Sequence, residues 1–225
     1  GAATQTNAHP HRYGAVAVVH NGIIENFREL RAELARDGIV PETQTDTETV
    51  AQLTGHLIGQ GLTPVEAVRA TLSRLHGAFA LAFLFEGQGD LMIGARKGSP
   101  LAVGHGSGEM FLGSDAIALA PFTDRVTYLE DGDHVVLTRA GAEIYDAEGR
   151  LANRAVARID VGSTAIDKAG HRHFMAKEIA QQPVVLGDAL GHYIKDGRIV
   201  LPESLDFSQV DRLTLVGCGT AFLAA

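Results

Sequence analysis

Val18-Val19-His20-Asn21-Gly22-Ile23-Ile24-Glu25-Asn26 joins a β-type run to the first helical pattern of the chain. The apolar residues from Tyr13 to Val19 are short and β-branched enough to predict a buried strand. The strand is expected to stop at Asn21-Gly22, and Asn26 to open a helix as a side-chain cap. Asn-Gly at such a junction serves as a tight turn. It also offers two neighbouring donors, the Asn side-chain amide and the Gly N–H. Such a pair suits an oxyanion hole, where negative charge develops on a tetrahedral intermediate.

Downstream, Phe27, Leu30 and Leu34 recur at helical spacing over 26–37, and Asp37-Gly38 ends that helix. Thr45-Asp46-Thr47-Glu48 follows, with Val50, Leu53 and Leu57 periodic behind it. Thr45 with Glu48 fits a capping box. Asp46 is not needed for that cap; in the first turn it either complements the helix dipole or grips a substrate ammonium. Thr63-Pro64-Val65-Glu66 announces a third helix. Beyond Gly77 come short β-type runs at 78–85, 91–95, 101–103, 110–112, 126–129 and 134–138, and a hairpin at 142–151. Helices followed by antiparallel strands predict an α+β domain with helices layered on sheets. Upstream, His9 and His11 form a His-x-His pair without a nearby third ligand, which favours a loop positioned by Pro10 over a metal site.

Composition narrows the function. A net charge of −8 offers no excess basic face for nucleic acid or an anionic membrane. No apolar run reaches the ~20 residues of a spanning helix. One cysteine, Cys218, precludes an intrachain disulfide and suits a reducing cytoplasm. Residues 152–171 read as a connector. A helical stretch then begins at His173, and Pro183 is expected to interrupt or restart it. At the end, Leu213–Val216 predicts a strand, Gly217-Cys218-Gly219-Thr220 a glycine turn, and Ala221 onward a helix. That arrangement cradles phosphate at a helix N-terminus, or serves plain tight packing.

Taken in order, NAHPH, VVHNGIIEN, TDTE, GAFAL, ARKGSPL, SD, LEDGD, HFMAKEI with QQP, and GCGT resemble the glutamine–fructose-6-phosphate aminotransferase family, the glucosamine-6-phosphate synthases. VVHNGIIEN and TDTE alone indicate a class-II glutamine amidotransferase; the later motifs are more specific. The resemblance implies a layered αββα N-terminal-nucleophile glutaminase domain over 1–141, its end and a linker over 142–203, and the start of an α/β sugar-isomerase (SIS) domain over 204–225. It implies Asn21 and Gly22 as the oxyanion hole, Asp46 as the holder of the glutamine α-ammonium, and Cys218, Gly219 and Thr220 at the edge of a sugar-phosphate pocket. Ala221 stands where many relatives carry a phosphate-contacting Ser. Glutamine and fructose 6-phosphate are the implied substrates, a homodimer the implied assembly, and no metal or organic cofactor is called for. The nucleophilic Cys and a carboxylate-binding Arg are expected upstream of Gly1, so that an internal fragment of this kind is expected to be inactive alone. Rival expectations are another class-II amidotransferase, such as amidophosphoribosyltransferase, asparagine synthase or glutamate synthase, and a non-catalytic sugar-phosphate sensor.

Overall fold

In the computed structural model, which describes residues 2–159, 168, 170–195, 197–200 and 210–217, the strand of the opening motif is longer than expected. It covers Val16–Ile24 (β2) and runs through Asn21 and Gly22 instead of stopping at them. The cause is its neighbour, Gly77–Phe85 (β3), which pairs with it residue for residue from Val16↔Phe85 to Ile24↔Gly77. Asn-Gly is therefore not a turn. Glycine is nevertheless required at position 22: its φ is 133°, and a Cβ there would lie 2.1 Å from the carbonyl oxygen of Ala78.

Six antiparallel strands form the first sheet. Beside β2 and β3 stand β1 (His11–Tyr13), β4 (Met92–Lys97), β8 (His134–Thr138) and β9 (Gly141–Tyr145), in the order β1-β2-β3-β4-β8-β9. Four more strands, β5 (Ala102–His105), β6 (Met110–Gly113), β7 (Arg125–Tyr128) and β10 (Ala157–Arg158), make the second sheet in the order β10-β7-β5-β6. Alternation along β2 and β3 sends Val16, Val18, Ile24, Phe79, Leu81, Phe83 and Phe85 to one face. That face is covered by α1 (Phe27–Leu34), α2 (Asp46–Gly59) and α3 (Pro64–Leu72), which supply Leu30, Leu34, Val50, Leu53 and Val68. On the other face Ala80, Val135, Leu137 and Ile144 meet Leu101, Val103 and Leu129, giving a second core between the sheets. The short helix α4 (Ala116–Leu119) covers the far side, with Leu119 against Ala102 and Val126. The result is the expected layered αββα architecture, its fourth layer cut to one turn.

Local signals succeeded where nothing competed for the capping side chain. Thr63 and Glu66 form both bonds of the capping box at α3. At α2 the box does not form. Glu48 is buried and instead accepts from the N–H groups of Glu42 (2.6 Å) and Thr43 (2.9 Å) and from the Thr43 hydroxyl (2.8 Å), clamping the loop that leads into the helix. Asn26 makes no cap bond either. Its amide bridges the main chain of Arg74 and His76, tying α1 to the start of β3.

The chain divides into two compact units, Gly1–Asp167 and Lys168–Ala225. In the second, α5 (Phe174–Tyr193) passes straight through Pro183; Ile179, whose carbonyl the proline leaves free, is exposed. Leu213–Val216, expected as a strand, has no strand assignment and no pairing neighbour among the described residues. Cys218, Gly219, Thr220 and Ala221 lie outside the described residues.

Candidate active site

Three residues singled out in the sequence meet at one place. Asn21 and Gly22 from β2 and Asp46 from the first turn of α2 line a cleft of about 430 Å³, together with His9, His20, Phe27 and Thr47. The strand edge makes this possible. β1 pairs only with Val16 to Val18, so from Val19 onward β2 has a strand neighbour on the β3 side alone among the described residues. Asp46 occupies that open edge. Its Oδ2 accepts the Ile24 N–H at 2.7 Å, and its Oδ1 accepts the Thr47 N–H at 3.0 Å. Two main-chain donors thus hold the carboxylate at a helix N-terminus.

Asp46 has no arginine or lysine partner among the described residues, and its side chain remains 23% exposed. The contrast within the same turn is sharp. Glu48 is saturated by the loop N–H groups, with Arg31 at 3.5 Å beside it. One acidic residue of Thr45-Asp46-Thr47-Glu48 clamps the loop; the other has no arginine or lysine beside it among the described residues.

His20 and Thr47 were not marked out by the sequence reading. His20 is fully enclosed between β2 and α2, its Nδ1 3.0 Å from the Thr47 hydroxyl and 3.9 Å from Asp46 Oδ1. The same hydroxyl lies 3.2 Å from Nε2 of His9. Burial first of all holds the His20 imidazole below its ordinary pKa, a shift that Asp46 opposes and His9 reinforces. Its Nε2 is buried without a hydrogen-bond partner. The signal was present: position 20 shares the inward face of β2 with Val16 and Val18, and a histidine there interrupts an apolar row. His11 meets the Thr45 hydroxyl at 2.9 Å, and Asn7 accepts from the Gln44 N–H at 3.0 Å. The Asn7–His11 segment therefore buttresses the lead-in to α2. Among the described residues no group of histidine, cysteine and acidic side chains has a metal-holding arrangement.

Fold and cleft define an antiparallel, layered α+β domain in which an amide, a strand-edge glycine and an unpaired carboxylate converge. The sequence pattern of the glutamine amidotransferase domain matches residues 3–121. The chain belongs to that family. It is 57% identical over 228 aligned residues to the glutamine–fructose-6-phosphate aminotransferase [isomerizing] of Bradyrhizobium diazoefficiens, covering 100% of this chain and 38% of that protein. The enzyme of the same name from Brucella suis is 55% identical over the same shares. Among solved structures, the glutamine phosphoribosylpyrophosphate amidotransferase of B. subtilis superposes with a TM-score of 0.57 at 25% identity, over 67% of this chain and 34% of that one. The chain thus spans less than half the length of the curated relatives it matches.

Proposed function

We propose that the cleft is the glutamine site of an amidotransferase and that the full-length protein converts fructose 6-phosphate to glucosamine 6-phosphate with ammonia drawn from glutamine. The observation that carries this reading is the convergence of Asn21, Gly22 and a cation-free Asp46 on one cleft. Asp46 takes the glutamine α-ammonium, a charge-assisted contact that needs no rearrangement because the carboxylate is already held by two N–H groups. That fixes the amide end of the substrate towards β2. As a thiolate adds to the amide carbon, the oxygen becomes an oxyanion, which the Asn21 side-chain N–H and the Gly22 main-chain N–H stabilise. The two-residue alternation of a strand directs the Gly22 N–H to the same edge as the Ile24 N–H, which Asp46 already engages. The proton taken from the thiol by the α-amino group of the nucleophilic cysteine passes to the amide nitrogen as the C–N bond breaks, ammonia leaves, and water hydrolyses the thioester to glutamate.

The sugar half of the reaction rests on the names of the relatives and on the motifs at 213–220. In this reading 1–141 is the glutaminase domain, 142–203 its end and a linker, and 204–225 opens a sugar-isomerase domain. Cys218, Gly219 and Thr220 stand at its phosphate pocket, and the protein works in the cytoplasm as a homodimer. No helix of the described residues is long and apolar enough to cross a membrane. The deciding experiment is an assay of the full-length protein for glutamate release from glutamine and for glucosamine 6-phosphate formation when fructose 6-phosphate is added. Both products are expected in equal amounts. Failure to release glutamate would overturn the glutamine reading, and glutamate without amino sugar would overturn the acceptor.

A further inference from the structure

His20 stands in the wall of the cleft with its side chain buried against α2; it is not one of the three groups assigned to substrate, and the nearest of them, Asp46, has its Oδ1 3.9 Å from Nδ1. Its surroundings are sparse in charge. From α2 it faces the Thr47 hydroxyl and the Asp46 carboxylate, from the N-terminal segment His9, and from β3 its cross-strand partner is the uncharged Leu81. The Thr47 hydroxyl, placed between His20 Nδ1 and His9 Nε2, has one proton to give. A neutral His20 fits this arrangement as the Nδ1–H tautomer, which donates to the Thr47 hydroxyl and leaves Nε2 without a proton. A protonated His20 does not, because the buried Nε2–H would have no acceptor and the nearest anion is Asp46, 3.9 Å from Nδ1.

We infer that His20 is a positioning residue that sets the availability of Asp46: neutral, it leaves the carboxylate free for a substrate ammonium, and protonated, it takes Asp46 as its own counter-ion. The imidazole is buried while the carboxylate is part-exposed, so closing the 3.9 Å between them falls to Asp46, at the expense of its bonds to the Ile24 and Thr47 N–H groups. The charge on His20 therefore moves Asp46 and not the reverse. The lowered pKa of the imidazole puts the changeover on the acid side of 6.5, so the site is fully open at neutral pH. The consequence is an acid limb in substrate affinity that belongs to a residue without substrate contact.

This rests on the glutamine reading of the cleft, and the test separates the two. Glutaminase kinetics of the full-length protein are measured from pH 8 to pH 5, a range in which neither the α-ammonium nor the α-carboxylate of glutamine titrates. The expected result is a KM for glutamine that rises about tenfold or more towards pH 5, with a midpoint below 6.5 and a smaller change in kcat. In His20→Asn, which keeps an amide near the Nδ1 position but cannot take up a proton, KM is flat across the range; His20→Gln carries the same test should that variant fold poorly. His9→Asn retains the acid limb. A wild-type KM independent of pH, or an acid limb of unchanged size in the His20 variants, overturns the inference while leaving the site assignment intact. Absence of turnover at pH 7.5 overturns the site assignment itself.

Discussion

Two clefts on the first sheet differ in how their charged side chains are engaged. At the β8–β9 end a cavity of about 510 Å³ is lined by Arg69, Asp133, His134 and Asp146. Each of these four side chains is already engaged. Asp133 is buried and takes a bidentate pair of bonds from Arg154 at 2.8 and 2.9 Å. Asp146 accepts from the main chain and side chain of Arg150, all at 2.9 Å. His134 stacks on Tyr145 and accepts from Arg69 Nε at 3.0 Å, which fixes it as a neutral imidazole. The smaller cleft, at the open edge of β2, keeps an anion without a cation and an exposed Asn-Gly pair. Volume and titratable residues do not make a site; uncommitted valence does.

If that contrast is right, substitutions in the two clefts separate stability from chemistry. The largest effect is expected for Asp133→Ala, which takes the bidentate partner from Arg154, leaving it only Glu130, and strands the Glu130 N–H. A loss of about 3 kcal/mol in chemical denaturation is expected, with the KM for glutamine unchanged. Asn21→Ala should do the opposite. It removes one oxyanion donor from an exposed position, so kcat falls about 10²–10³-fold while the unfolding midpoint barely moves. Asp46→Asn is intermediate: KM rises by roughly 30-fold, the equivalent of about 2 kcal/mol of charge-assisted bonding, and stability drops slightly through the weaker bond to Ile24. The smallest effect is on pH. His134 is held down to about 4, mainly by burial and next by Arg69. The unfolded chain therefore takes up this proton first on acidification. The stability contributed is complete above pH 6.5 and declines as pH falls to 4, by of order 1 kcal/mol. His134→Gln should flatten that part of the stability profile. A change in glutamine KM from either Asp133→Ala or His134→Gln would break the contrast.

Much of this was legible in the sequence, for reasons that can be traced to particular residues. The strand runs were bounded by Gly and Asp turns, and the Thr63 box could form because nothing else reaches for Glu66. Asn21, Gly22 and Asp46 were found because their chemistry is unusual for their local positions. What escaped is tertiary in origin. Glu48 left its expected box because the 42–43 loop offers it stronger donors. Asn26 gave up its cap for the main chain at 74 and 76. The strand through Asn21-Gly22 continues because Ala80 and Phe79 are opposite it, a fact of register that no window of β2 contains. The pairing of His20 with Thr47 became visible only when α2 was laid across the strand.

That register also bears on how the chain ages. In flexible turns an Asn-Gly pair loses ammonia readily, since the glycine nitrogen can swing back onto the side-chain amide carbon and close a succinimide ring. Here Asn21 and Gly22 are drawn out in a nine-residue strand, with Gly22 opposite Phe79. Extended pairing keeps the nitrogen from curling back, so the same ladder that presents this amide to a ligand also protects it from the spontaneous deamidation to which its sequence inclines it.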